Sequence, residues 1–432
     1  MSSSAPTAAP ESLGSTPSER YLTRLARRSF LTLWSYPNLY TDEGRHGSHG
    51  DGKELCDLLV IFDKHVLLFS DKHCEFPEGI DLAVAWARWY RRAVEKSARQ
   101  LIGARNWVTR FPTRIYVDKG CERPLPIPIP GADTARFHLV AVTRGAYDAC
   151  RAFFSGGSTG SLALNTSVVG EDHHSRPFVI GRVVRNGPYI HVLDELTLDV
   201  LLRELDTVKD FIEYLERKEI LLTHPKRTLI ATGEEQLVAM YLTRTDEHGD
   251  HAFTEINEDA DVVFVPEGRW EDFIQNPQYI AKKRADGPSY VWDRLIEHMA
   301  ARGEFDTGGP KTRDVTSMER GLRALAAEPR IARRQYARHL LEALAKDVKP
   351  GQCFLRVGYS GRQGDTAYVF LILPQPPHIA TYDEYREARR AMLLACCKVA
   401  RLRTTHAPLI VGLATEPGGT PGASEDLLVL EV

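Results

Sequence analysis

Runs of apolar side chains punctuate the N-terminal half of this chain at spacings that predict its elements. Behind Ser18, read as a helix cap, Leu22, Leu25, Ala26 and Ser29–Phe30 recur on one helical face. Thr41 to Gly52 is polar and rich in Gly and His, the composition of a loop. Two apolar runs follow, Leu58–Phe62 and Val66–Phe69, with Asp63–Lys64–His65 between them. That spacing predicts strand, turn, strand. Both faces of each run are apolar, so these strands belong inside a sheet rather than at its edge. From Asp81 to Gly103 the period becomes helical, with Trp86, Trp89 and Ala93 on the buried stripe and Gly103 as the stop.

Further along, Arg114–Val117 and Phe137–Val142 read as strands, joined through the extended Pro124–Pro130 segment. Phe178–Val184 and Tyr189–Val192 predict a hairpin about Asn186–Gly187. Leu196 to Lys218 is amphipathic, either one helix or two broken near Asp206. A domain boundary is expected near 222–235, where that helix closes the first pattern. Beyond it come helices around Tyr290–Arg302, Met318–Ala327 and Ile331–Leu344. Strands Phe354–Val357 and Tyr368–Leu373, a helix Tyr382–Leu402 and a strand Leu409–Ala414 then predict a small α/β layer domain. The expected organisation is a disordered tail at 1–17, rich in Ser, Ala and Pro, a domain over 18–225 and a second over 235–432.

Composition narrows the class without naming it. A chain of 432 residues fits two or three domains and can bury a core without staples. With 55 basic against 58 acidic side chains the formal charge is −3, so nucleic-acid binding would need a local patch. No apolar run approaches the roughly 18 residues that span a bilayer, and the first residues lack the basic start and apolar stretch of a secretory signal. The seven cysteines are scattered without a CxxC pair, which argues against a zinc ribbon or a disulfide framework. The expectation is a cytoplasmic protein with no membrane partner.

Chemistry concentrates in Gly52–Lys72, the stretch GKELCDLLVIFDKHVLLFSDK. An acid, Asp57, opens one apolar strand and a lysine, Lys72, closes the next. Ser70 and Lys72 are two apart and share a face, while Asp71 points the other way. A hairpin turning near 63–64 would bring Asp57 across from Ser70 and Lys72 at one sheet edge. Charges at a buried strand end need a partner or a task. A carboxylate there can hold Mg²⁺ and an ammonium can orient water or stabilise phosphate charge.

These residues resemble the PD-(D/E)xK, or restriction-endonuclease-like, nuclease superfamily. Its pattern is a helix carrying an acid, an Asp on the second core strand, (D/E)xK closing the third, then a helix. Glu19, Asp57, Ser70–Asp71–Lys72 and the helix Asp81–Gly103 take those places. The resemblance covers residues 18–103 and extends towards 220 if the later strands join the same sheet. It departs from the pattern at Ser70, where the usual acid is missing. Some restriction enzymes of the superfamily also carry SxK and take the carboxylate from the following helix, where Glu75, Glu78, Asp81 and Glu95 are the candidates here. Asp71 would serve only if a bulge turned it inward.

The resemblance implies an α/β fold with a mixed central sheet flanked by helices for the first domain, to which the pattern read above adds a C-terminal α/β domain. It implies a hydrolase that cleaves phosphodiester bonds with Mg²⁺ or Mn²⁺, DNA before RNA, in roles such as defence or repair. Asp57 would bind the metal with Glu54 or Glu19, and Lys72 would position water or phosphate. Arg88, Arg91, Arg92, Lys96 and Arg99, close to one helical stripe, would hold phosphates. The alternative is an inactive nuclease fold that binds nucleic acid or regulates, with the C-terminal domain as the place for a protein partner.

Other motifs are weaker. Asp172-His173-His174 lacks the spacing of a metal site and reads as a surface loop. Ser155–Ser161 is a Gly/Ser loop without the phosphate-loop lysine, and His46 and His49 lie in the polar loop before the motif. Of Cys396 and Cys397, inside a helix, one should be core and inert.

Overall fold

The computed structural model describes residues 16–45, 50–155, 160–253, 256, 260–302, 315–359, 366–404 and 407–431. Of the sequence-based expectations, the tail over 1–15, most of the Ser155–Ser161 loop, and His46 and His49 lie outside these residues. The chain divides into two units, Met1–Ile280 and Ala281–Val432, and its class is mixed α/β.

The first unit opens with α1 (Pro17–Phe30), which begins earlier than expected because Thr16, not Ser18, is the cap. Thr16 accepts from the Glu19 amide and Glu19 accepts from the Thr16 amide, with Pro17 at the first helical position. Leu22, Ala26 and Phe30 are its buried stripe. Three strands follow: β1 (Ser35–Thr41), β2 (Lys53–Phe62) and β3 (His65–His73). Asp63, at φ 53°, supports the tight turn between β2 and β3.

The next helical stretch is not the single helix expected. α2 (Leu82–Tyr90) passes through a π-turn (Arg91–Glu95) into α3 (Lys96–Arg110), which continues past Gly103. β4 (Ile115–Tyr116), β5 (Arg136–Arg144), α4 (Tyr147–Phe153), β6 (Ala163–Val169) and β7 (Val179–Arg182) come next, then β8 (Ile190–Asp194), α5 (Glu195–Glu204) and α6 (Val208–Leu222). The amphipathic stretch is thus two helices, broken around Asp206, where Thr207 caps the second.

The main sheet has the order β4-β1-β2-β3-β5-β8. β2 runs antiparallel to both its neighbours, β1 and β3, while β3, β5 and β8 run parallel. A parallel step needs a long crossover, and the α2–α3 stretch provides the one between β3 and β5. Leu55–Phe62 of β2 and His65–Asp71 of β3 are wholly buried, as interior strands should be.

The hairpin expected about Asn186–Gly187 does not form. β7 pairs with β6 and β8 with β5, so the two runs belong to different sheets. The expected boundary near 222–235 falls inside the first unit, because β9 (Thr228–Ala231) pairs back onto β6. α7 (Glu234–Thr243), β10 (Val262–Val265), α8 (Arg269–Gln275) and α9 (Pro277–Asp286) follow, with β10-β9-β6-β7 as the second sheet.

The second unit has α10 (Tyr290–Arg302), α11 (Val315–Ala326), α12 (Arg330–Leu344), β11 (Phe354–Tyr359), β12 (Thr366–Ile372), α13 (Tyr382–Arg403), β13 (Leu409–Thr415) and β14 (Glu425–Glu431). Its sheet runs β11-β12-β13-β14, one strand more than the sequence pattern predicts. Leu393 and Cys397 of α13 join the core formed with the sheet. Burial pushes the Cys397 thiol up to about 12, which keeps it an inert core group. No described helix is long and apolar enough to cross a membrane.

Close packing singles out Gly52 at the entry to β2. A Cβ there would lie 2.6 Å from Cys121 Sγ and 2.9 Å from the Thr41 carbonyl oxygen, whereas one at Gly103 meets nothing within 4 Å. Gly52→Ala should therefore cost about 1–3 kcal/mol in urea unfolding. Gly103→Ala, inside α3, should add about 0.5–1 kcal/mol. Equal midpoints for the two variants would contradict the packing described.

Candidate active site

The hydrogen-bond register decides which side chains of β2 and β3 meet. Leu59 pairs with Leu68 and Ile61 with Val66, so Asp57 shares its face with Ser70 and Lys72. Contacts to the crossover helix identify that face: Ser70 Oγ lies 3.3 Å from Ser97 Oγ and donates to Gln100 Oε1 at 3.3 Å. Phe69, one residue earlier, packs instead against Phe30 of α1 and Phe211 of α6.

The pairing of β2 with β3 ends at Leu58↔Phe69. Beyond it the Asp57 carboxylate takes over, accepting the Asp71 backbone N–H at 2.5 Å. Asp57 is only 4% exposed, and this burial pushes its carboxyl up to about 7. The Lys72 ammonium and the Asp71 amide pull the other way, while Glu54 raises it further by its charge and by a side-chain hydrogen bond. The site therefore holds two carboxylates with Lys72 as the cation acting most strongly on Asp57.

Asp71 is not turned inward. Its buried carboxylate accepts from Arg144 at 3.0 Å, and Arg144 lies over the Tyr21 ring, whose hydroxyl donates to Asp199. Burial still raises the Asp71 carboxyl, against the pull of Arg144. Glu19 acts on Asp71 and Tyr40, whereas the carboxylate acting on Asp57 is Glu54.

Candidates from the following segment have other partners. Asp81 caps α2 through the Ala83 and Val84 amides, and Glu95 lies 2.8 Å from His174. Glu75 and Glu78 are exposed.

The Asp172–His174 segment is also not the surface loop expected. His173 is fully buried, stacks on Tyr90 at 4.8 Å and accepts the Gly181 N–H at 2.9 Å through Nε2.

Beside the site, a cleft of about 410 Å³ is lined by Lys53, Glu54, Arg99, Gln100, Trp107 and Arg110 among others. It thus joins Glu54 and the residue that accepts from Ser70 to Arg99, Arg110 and Lys53, the last paired with Glu43 of the same lining at 2.8 Å, and to the aromatic side chains of Trp107 and Phe111. Arg88, Arg91, Arg92, Lys96 and Arg99 are all exposed, but the π-turn at Arg91–Glu95 interrupts the α-helical stripe expected of them. Arg99 alone of the five lines the cleft.

The sequence reading did not select Arg110, Gln100 or Trp107. Gln100 carries no charge, and Trp107 and Arg110 follow the expected stop at Gly103, so the continuation of α3 puts those two in the cleft. Comparison with protein-family models, curated proteins and solved structures finds no match.

A raised carboxyl has a defined signature in stability. Below about pH 4 Asp57 is protonated in folded and unfolded chains alike, so burial carries no charge penalty. As pH rises towards the folded value of about 7, the unfolded chain loses the proton first and stability falls. Asp57→Asn removes that titration. In metal-free buffer its stability advantage over wild type should grow between about pH 4 and 7 by on the order of 3 kcal/mol, then level off. Melting curves across that range check this, and a gap independent of pH would contradict the raised carboxyl.

Proposed function

We propose that this chain is a metal-dependent nuclease of the PD-(D/E)xK kind that hydrolyses phosphodiester bonds in DNA. The observation that carries the reading is the shared face of Asp57, Ser70 and Lys72, buried at one end and bordered at the other by a cleft that Arg99 and Arg110 line. The order helix, three strands, helix, strand, with the acid on the second strand and the lysine closing the third, supports it.

The donor set fits a hard divalent cation such as Mg²⁺ or Mn²⁺. Two carboxylates converge where burial leaves Asp57 short of positive charge, and oxygen ligands are what such an ion takes. Asp57 and Glu54 would hold it, and it would supply Lewis-acid stabilisation and a more acidic bound water. Lys72 then stabilises charge developing on the phosphoryl oxygens or orients the attacking water. Ser70, tied to Gln100 and Ser97, holds the strand end against α3 rather than acting as an acid. Lys53, Arg99 and Arg110 line the cleft where a phosphate backbone would run, and Trp107 offers a face for a base.

Ser70 in the usual acid position favours a second reading, a nuclease fold that binds nucleic acid without cutting it. Incubation of the full chain with plasmid, single-stranded DNA and RNA, in Mg²⁺, Mn²⁺ or EDTA, separates the two. Cleavage is expected with either metal and lost with EDTA. Binding without cleavage in any metal would select the second reading.

Lys72→Ala should lower the cleavage rate by at least about 100-fold while the melting temperature stays near wild type. An unchanged rate in the folded variant would remove the role given to Lys72. Arg99→Gln with Arg110→Gln should weaken binding without altering sequence preference, since phosphate contacts carry no base information. Each lost contact should also make the slope of log affinity against log salt shallower by about 0.9 on duplex DNA. An identical slope would remove the cleft as the phosphate-binding surface.

A further inference from the structure

On the opposite face of the same sheet, three parallel strands each contribute one histidine. Parallel register sets His65 of β3 beside Arg136, two residues before His138 of β5, and sets His191 of β8 beside Val140. His65, His138 and His191 therefore share the face that α6 covers. From α6 come Glu216 and Glu219, one helical turn apart. Two overlapping groups result, His65–His138–Glu216 and His138–His191–Glu219, each with its ligand atoms within 4.8 Å of one another.

The two groups differ in how well their polar atoms are satisfied. Nδ1 of His65 lies 3.1 Å from Nε2 of His138 and 3.8 Å from Glu216, which also accepts from Arg136. Nδ1 of His138 and both ring nitrogens of His191, by contrast, are buried without a hydrogen-bond partner among the described residues. His191 is 0% exposed and His138 4%. A buried imidazole with neither nitrogen satisfied carries a desolvation cost that folding alone does not explain. Glu219 Oε2, on a partly exposed side chain, stands 3.8 Å from His191 Nε2.

We propose that His138, His191 and Glu219 bind a zinc-class transition-metal ion that ties α6 to strands β5 and β8. Imidazole nitrogen with carboxylate oxygen is a donor set suited to zinc rather than to Mg²⁺. Tetrahedral ligands around zinc stand about 3.3 Å apart, so side-chain shifts of roughly 1 Å close the present arrangement. His65 occupies one nitrogen of His138 and leaves the other for the ion, so it takes the place that a hydrogen-bond partner holds on a metal-bound histidine. Burial also holds His138 and His191 neutral at pH 7, so their lone pairs face no proton competitor. Lys218, the nearby cation acting on His191, is paired with Glu234.

The test uses the full chain, purified and stripped with a chelator, then titrated with zinc chloride or with Co²⁺ as a visible probe. Stoichiometric zinc by elemental analysis, the absorption of four-coordinate Co²⁺ and a melting temperature that rises with zinc are expected. His191→Gln should abolish all three. Glu219→Gln, at a partly exposed position that leaves folding intact, should weaken zinc binding at least about tenfold. Asp57→Asn should leave zinc binding unchanged, which separates this site from the nuclease reading. A wild-type chain with neither zinc-induced stabilisation nor a Co²⁺ spectrum would overturn the proposal. So would wild-type zinc affinity in Glu219→Gln, or loss of zinc in Asp57→Asn.

Discussion

The nine-residue parallel pairing of β3 with β5, from His65↔Arg136 to His73↔Arg144, fixes the faces on which every group of interest lies. Side chains alternate along a strand, so one register sends Ser70 and Lys72 towards α3, and His65, Phe69 and Asp71 towards α1 and α6. A slip of one residue would exchange these sets and expose one to the wrong partners. The continuous burial of β3 makes such a slip costly, because both faces are packed. The chemistry is thus held by the core rather than by loops.

Two aspartates near the end of this sheet illustrate how the same burial has different consequences. Asp71 is buried against Arg144, which is itself held over Tyr21, so its charge has a fixed counter-ion. Asp57 has a backbone amide and a more distant influence from Lys72, opposed by Glu54. Burial raises both carboxyls, but only Asp57 also has a second carboxylate bonded to it. An arrangement that disfavours its own charged state is a cost in a purely structural role, and it is what a cation would relieve. The same reasoning distinguishes satisfied His173, stacked on Tyr90 and bonded through both nitrogens, from His191.

Local pattern made β2, β3 and their turn legible, because unbroken apolar runs around Asp63–Lys64 admit few other readings. Helical periodicity made the helices of the second unit legible, whereas the break near Asp206 was one of two readings that the pattern left open. β1 was not, since its sequence SYPNLYT places a proline and an asparagine in a short strand. The Asn186–Gly187 signal describes a turn but says nothing of which sheet each flank joins. Ser18 lost to Thr16 because the capping box needs the glutamate at the right offset. Glu54 was visible as one of two metal-ligand candidates, and its approach to Asp57 distinguished it from Glu19. The histidine triad was beyond the reach of spacing. His65, His138 and His191 stand singly in separate apolar strands, and only parallel register unites them.

Taken as proposed, the two faces would divide metals by chemistry rather than by affinity alone. The Asp57–Glu54 site offers carboxylate oxygens beside an open cleft, where a strongly hydrated ion keeps its waters and exchanges with substrate. The His138–His191–Glu219 site offers two buried nitrogens, with Glu219 as its partly exposed member. A strongly hydrated magnesium ion gains little by losing water to imidazole, whereas zinc favours it. Zinc reaching the carboxylates would meet oxygen donors alone and none of the nitrogens it prefers. The sheet between them would therefore act as the partition, with exchangeable oxygen ligation on one side and fixed nitrogen ligation on the other.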